Sequence, residues 1–207
     1  YKGYFASRLA DGRSFPYMVL VSGFEILGRT VAEKLISILD GEIHVLERRG
    51  DALSAQCFPL SGIRYVEMKT VLLHSHIKIS GITGSGEPAM AVIQFNSVTD
   101  HVFTPILNWV RQGRSDRMKP VEEPGSDAFD HWSDLNFKFM NYARRSVLGG
   151  EKVLCALLQP EIRGSSSSFP GKIFFRMLSP THAIILTERE WITIREEAIQ
   201  GRKDKYG

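Results

Sequence analysis

The 207-residue sequence is poor in cysteine: Cys57 and Cys155 are its only two, and they lie far apart. A disulfide framework and a cysteine-rich metal knuckle both need more thiols at closer spacing, so neither is expected. Long apolar runs are lacking too. No run approaches the roughly 20 residues that span a bilayer as a helix, and the opening YKGYFASRLADGRSF has no signal-peptide core. Charge of one sign is scarce, with 26 Lys and Arg against 23 Asp and Glu for a net +3. That excess is too small to make nucleic acid the expected partner. Catalytic signatures are missing as well: there is no Walker loop, no G-x-G-x-x-G and no G-x-S-x-G elbow. The glycines of 81–86 follow a strand, but a second strand comes next where a phosphate loop needs a helix. Neither an enzyme nor a cofactor is therefore predicted. What the chain does have is 43% hydrophobic and 10% aromatic content, enough for a buried core and too much for a disordered or fibrous chain. It opens on Tyr1 rather than Met, and is read as a piece of a longer polypeptide.

Strand signals dominate the first half. Residues 17–22 (YMVLVS) form a short apolar run between Pro16 and Gly23. Residues 33–39 and 42–48 (EKLISIL and EIHVLER) flank Asp40-Gly41, the pair that tolerates positive φ in a type I′ turn, so they predict a hairpin. In its second arm Ile43, Val45 and Glu47 alternate with His44, Leu46 and Arg48, which predicts one packed face and one partly covered face. After a turn at 49–51, residues 53–58 read as a strand stopped by Pro59, and residues 63–68 as the next. Over 71–80 the alternation places Val71, Leu73, Ser75, Ile77 and Ile79 inward and Leu72, His74, His76 and Lys78 outward. A Gly-rich connection at 83–88 leads into a further strand at 89–95. About seven strands at hairpin spacing, with no helix long enough for a parallel crossover, predict an antiparallel meander.

The period then changes. Ser97 and Asp100 stand at capping-box spacing, and Val102, Phe103, Ile106, Leu107 and Val110 form a helical apolar stripe. Pro105 either kinks this helix or takes the first position of a shorter one capped by Thr104. Residues 114–128 turn to charge, Pro and Gly, which marks a linker. A second helix follows over 129–149, with Trp132, Leu135, Phe139, Ala143 and Val147 at helical spacing and Gly149 as its left-handed stop. Strands return at 152–158, 173–177, 183–187 and 191–196, with a polar loop at 163–172 (RGSSSSFPGK) and a solvated tail.

The halves echo each other. Val19-Leu20 followed by Phe24-Glu25-Ile26 matches Val153-Leu154 followed by Pro160-Glu161-Ile162, and LISILDGEIHVLERR from Leu35 matches AIILTEREWITIREE from Ala183. The match is one of pattern, which two amphipathic hairpins also reach by chance. A first copy runs over 17–111, whereas only 57 residues follow Gly150, so a second copy is expected to be incomplete.

A strand, an apolar hairpin, a continuing meander and one closing helix resemble the pleckstrin-homology-like fold, in particular the bacterial pleckstrin-homology-like domains. The likeness is carried by the hairpin 35–49, by FPLSGI at 58–63 and by the helix around 106–110, and in the second half by GGEKVLCALLQPEI and AIILTEREWITI. It covers most of 17–111 and, more loosely, 150–196. It implies two bent antiparallel sheets closed at one end by a helix, and a binding or scaffolding role. The expected chain is α+β and mostly β: a pleckstrin-homology-like domain over 1–113, a linker at 114–128, a connecting helix at 129–149 and a partial second unit at 150–207.

The remaining chemistry is sparse. His74 and His76 share one strand face, but no third ligand is spaced to join them, so an ordinary solvent-facing strand is expected. Asp100-His101 suits a helix first turn. Cys57 and Cys155, with no histidine or basic partner arranged around them, read as small core residues. Arg144-Arg145, beside Tyr142 and Phe139, read as the solvated flank of a helix and not as an RNA contact. Eukaryotic pleckstrin-homology domains that hold phosphoinositides use Lys and Arg on their first two strands. That resemblance implies Arg163, Lys172 and Arg176 as candidate anion or lipid contacts in the second unit, with Arg29 and Lys34 in the first. Each such cation contributes about 1 kcal/mol near an anionic membrane. The function expected first is non-catalytic protein–protein binding or self-assembly through an exposed sheet edge. The alternative is anionic-lipid binding. The expected location is the cytoplasm, at the inner membrane face if lipid is bound.

Overall fold

Antiparallel pairing of short alternating segments builds most of the regular structure in the computed structural model, which describes residues 1–6, 17–26, 28–113, 126–169 and 172–196. The chain divides into two units, Tyr1–Met118 and Lys119–Gly207. The first contains helix α1 (Lys2–Ala6) and strands β1 (Tyr17–Val21), β2 (Phe24–Ile26), β3 (Arg29–Val31), β4 (Glu33–Leu39), β5 (Glu42–Arg49), β6 (Ala52–Pro59), β7 (Ile63–Val71), β8 (His74–Ile82) and β9 (Pro88–Asn96). Helix α2 (Thr104–Gln112) follows, and 3-10 turns lie at Leu60–Gly62 and Ser97–Val102. The second unit contains a 3-10 segment (Ser126–Trp132), helix α3 (Ser133–Ser146) and strands β10 (Val153–Gln159), β11 (Ile162–Phe169), β12 (Lys172–Ser179), β13 (His182–Thr187) and β14 (Trp191–Arg195). No helix among the described residues is long and apolar enough to cross a membrane.

In the first unit the strands pair as a four-stranded sheet β1-β4-β5-β6, a three-stranded sheet β7-β8-β9 and a ribbon β2-β3. Asp40 and Gly41 adopt φ of 53° and 80°, the backbone that a two-residue turn between twisted strands requires. Alternation then sorts the hairpin by face. Ile36, Ile38, Ile43 and Val45 pack with Phe58, Ile77, Ile93 and Phe103 in the main core. Leu35, Leu39 and Leu46 point the other way and cluster with Phe5 of α1. The centre of this sheet is thus buried on both faces, and each apolar side chain so buried contributes about 1.5–3 kcal/mol.

Several expectations are corrected. The stretch 71–80 is not one strand: β7 runs to Val71, and Leu72 turns the chain at φ 53°. Val71 and Leu73 are consequently exposed rather than inward, because the Val71↔His74 pairing outweighs the local apolar pattern. The helix near Pro105 starts at Thr104, with the proline in its first turn where no N–H is needed. A separate 3-10 turn precedes it. Asn96, not Ser97, caps that turn by accepting from the Val98 N–H at 3.0 Å, while Ser97 donates its hydroxyl to the Leu72 carbonyl at 2.7 Å. The polar loop expected at 163–172 is instead β11 paired with β12, because a backbone ladder does not require apolar side chains.

The second unit pairs β10-β13-β14 as a sheet and β11-β12 as a ribbon. Trp132, Phe139, Met140 and Ala143 cover Ala183 and Ile185 on one face of that sheet. Leu135, expected on the buried stripe, is exposed, because Asn136 leaves helical geometry (φ −165°, ψ 94°) and resets the phase. On the opposite sheet face Leu157, Leu186 and Trp191 are 58%, 40% and 66% exposed.

Candidate functional site

β1 ends one sheet of the first unit and β9 ends the other, so among the described strands each presents one unpaired edge. Between them lies a groove of about 740 Å³ walled by Val19, Leu20, Leu73, Phe95, Val102 and Phe103. Each wall has a local cause. Phe95 and Phe103 stack with ring centroids 4.0 Å apart, joining the last strand to the start of α2. Tyr17 donates its hydroxyl to the Val102 carbonyl at 2.7 Å, which ties β1 to the 3-10 turn at that end. At the other end Gly23 lets the chain leave β1, since a Cβ there would sit 2.9 Å from the Val31 carbonyl oxygen. Leu20 remains 54% exposed on the groove. Among the described residues, the polar lining comprises hydroxyls, the Asn96 amide and the His74 imidazole, with no carboxylate, amine or thiol. The arrangement suits an extended apolar segment, whose backbone can bond to a strand edge while its side chains fill the trough.

Electrostatic pairing holds the two sheets together beside this groove. Lys34 donates to the Val92 carbonyl at 2.6 Å and pairs with Glu47 at 2.9 Å. Burial raises the Glu47 pKa, but hydrogen bonds and charge from Lys34 and Arg49 outweigh it, leaving the carboxyl below its ordinary range.

The candidate cations are placed as follows. Arg163, on β11, is exposed and pairs with Glu161 at 2.6 Å. Lys172 opens β12 opposite Phe169, and Arg176 lies opposite Gly164, while Arg163 lies opposite Met177. Arg163 and Arg176 thus stand at adjacent positions of the ladder. The side chains of Lys172, Arg176 and Arg29 lie outside the described residues. Arg144 pairs with Asp130. His74 is exposed, and His76 lies 3.9 Å from Glu67, which also pairs with Lys78.

Both cysteines differ from expectation. Cys155 is exposed, next to a register shift that follows Val153. Cys57 does have a histidine: its Sγ lies 3.2 Å from His44 Nδ1. That neighbour comes from across the β5–β6 ladder, where His44 stands opposite Cys57. The turn at Gly50-Asp51 is the signal from which this register could be counted. The groove leaves no such trace, because it depends on two sheet edges meeting in space. No protein-family model matches the chain, and no curated protein or solved structure aligns with it significantly.

Proposed function

We propose that the protein is a non-catalytic binding scaffold whose first unit, of pleckstrin-homology-like architecture, takes an extended apolar segment of a partner protein along the β1 edge. The observation that carries this reading is the groove itself, an apolar trough flanked by two unpaired strand edges. Lipid attachment is the weaker reading, since Arg163 is paired with Glu161 and Lys34 with Glu47.

The same reading extends to the second unit. β10, β13 and β14 pair in the order of β1, β4 and β5, and the ribbon β11-β12 stands where β2-β3 stands. Aligning Ala183 with Leu35 sets Ile184, Leu186 and Trp191 at the positions of Ile36, Ile38 and Ile43, which in the first unit form the main core. The same alignment sets Ala183 and Ile194, which pack with α3, against Leu35 and Leu46, which pack with α1. We therefore read the second unit as the opening half of a tandem copy. Its exposed inner face is a second surface for assembly.

Selection of phage-displayed linear peptides on the whole chain, followed by titration of the tightest binder, tests the groove. Peptides with alternating apolar residues are expected, and Leu20→Glu should weaken them by roughly tenfold or more, equivalent to about 1.4 kcal/mol, with an unchanged circular dichroism spectrum. Binding that ignores Leu20→Glu would overturn the groove assignment. Salt-sensitive sedimentation with anionic vesicles, abolished by Arg163→Ala and Lys172→Ala, would favour lipid instead.

A further inference from the structure

The outer face of the four-stranded sheet carries a side-chain cluster that the groove does not use. Glu42 and His44 are two residues apart on β5 and so share a face, and His44 stands directly opposite Cys57 on β6. From above, α1 brings Tyr4 down onto the same spot. Its hydroxyl lies 3.1 Å from His44 Nδ1 and 3.0 Å from Cys57 Sγ, and these two atoms are 3.2 Å apart. On the far side of the imidazole, Glu42 Oε2 lies 3.6 Å from His44 Nε2. His44 is 2% exposed.

We propose that this cluster is a binding site for a thiophilic divalent cation of the zinc type. Cys57 Sγ, His44 Nδ1 and Tyr4 Oη serve as ligands, a water completes the set, and Glu42 holds the second ring nitrogen. Three observations carry it. The donor triangle has edges of 3.0–3.2 Å; tetrahedral zinc, with bonds of about 2.0–2.3 Å, needs ligand atoms about 3.2–3.7 Å apart, so a spread of a few tenths of an ångström admits the ion. The donors are sulfur, nitrogen and oxygen, which suits zinc and excludes calcium and magnesium, both of which take oxygen ligands. The Glu42 carboxylate, 3.6 Å from the opposite ring nitrogen and so just beyond hydrogen-bond length, is the kind of group that partners the second nitrogen of metal-bound histidines, and a small shift brings it into contact. Glu42, His44 and Cys57 each offer one donor atom within 4.8 Å of the other two. The consequence of binding is mechanical: the ion links α1 to β5 and β6, adding a bond to a helix that is otherwise seated by Phe5 and its tyrosines.

Cobalt titration of the whole chain tests this. A one-to-one complex with a thiolate-to-cobalt charge-transfer band and tetrahedral ligand-field bands is expected, displaced by zinc. Cys57→Ser should abolish the band, Cys155→Ser should leave it unchanged, and Glu42→Gln should weaken zinc binding roughly 10–100-fold. Glu42 is partly exposed, so its variant carries the comparison even if Cys57→Ser fails to fold. No charge-transfer band in the wild type at millimolar cobalt overturns the proposal. A band that survives Cys57→Ser but disappears with Cys155→Ser does the same.

Discussion

Glu47 shows how one side chain couples the sheets to pH. Its carboxyl is held below the ordinary range by Lys34 and Arg49 in spite of burial. A group whose folded pKa is depressed contributes stability that is present above its unfolded pKa and lost as pH falls through the folded value. Glu47→Gln removes that contribution. The urea midpoint of the variant is therefore expected to lie below that of the wild type at about pH 6, with the gap narrowing by about pH 3, where both side chains are neutral. A gap that stays constant with pH would show that the ionised carboxylate contributes nothing. At this scale the sequence is readable where a residue acts through its own neighbours. Asp40-Gly41 announces its turn because positive φ is a local demand. Cys57 and His44 are 13 positions apart and meet only through a ladder, so neither advertises the other.

Close approach between elements is the next level of constraint. The 3-10 turn Leu60–Gly62 presses against the end of β8 so tightly that a Cβ on Gly81 would lie 2.3 Å from the Gly62 carbonyl oxygen, and one on Gly62 would lie 2.4 Å from that of Ile82. Both obstacles are backbone and cannot rotate away. Gly81→Ala is expected to destabilise the protein by about 1–3 kcal/mol, in line with overpacked sites, whereas Gly84→Ala, whose nearest neighbour would be the Glu42 side chain at 3.8 Å, should stay within about 0.5 kcal/mol. Equal denaturation midpoints for the two variants would refute this account. Elements bounded by their own turn signals are legible in the sequence, above all β4, β5 and β6, which the turns at Asp40-Gly41 and Gly50-Asp51 separate. Those that borrow stability from pairing are not. β2 and β3 are three residues each, too short to show a period, and β11 hides four consecutive serines in a ladder. The turn at Leu72 hides in a run that looks like uninterrupted strand.

At the scale of the whole chain, each unit has its own main core. One gathers around Ile36, Ile77 and Phe103, the other around Phe139, Trp132 and Ile185. Removing the Phe139 side chain, which is fully buried, should cost its unit about 3–5 kcal/mol. Hydrogen exchange is the direct readout: with Phe139→Ala the amides of β13 should lose protection while those of β5 keep theirs, and an equal loss in both would show one cooperative molecule. The exposed face of the second sheet has a colloidal consequence. Among the described residues β14 has an open edge, and its sequence WITIR carries a single charge, at its end. The opposite edge strand, β10, has an irregularity after Val153 that interrupts regular pairing. An open edge beside bare leucine and tryptophan is the geometry by which strands of different molecules stack into fibrils. A partner that covered that face would therefore also shield the edge from other copies of the chain.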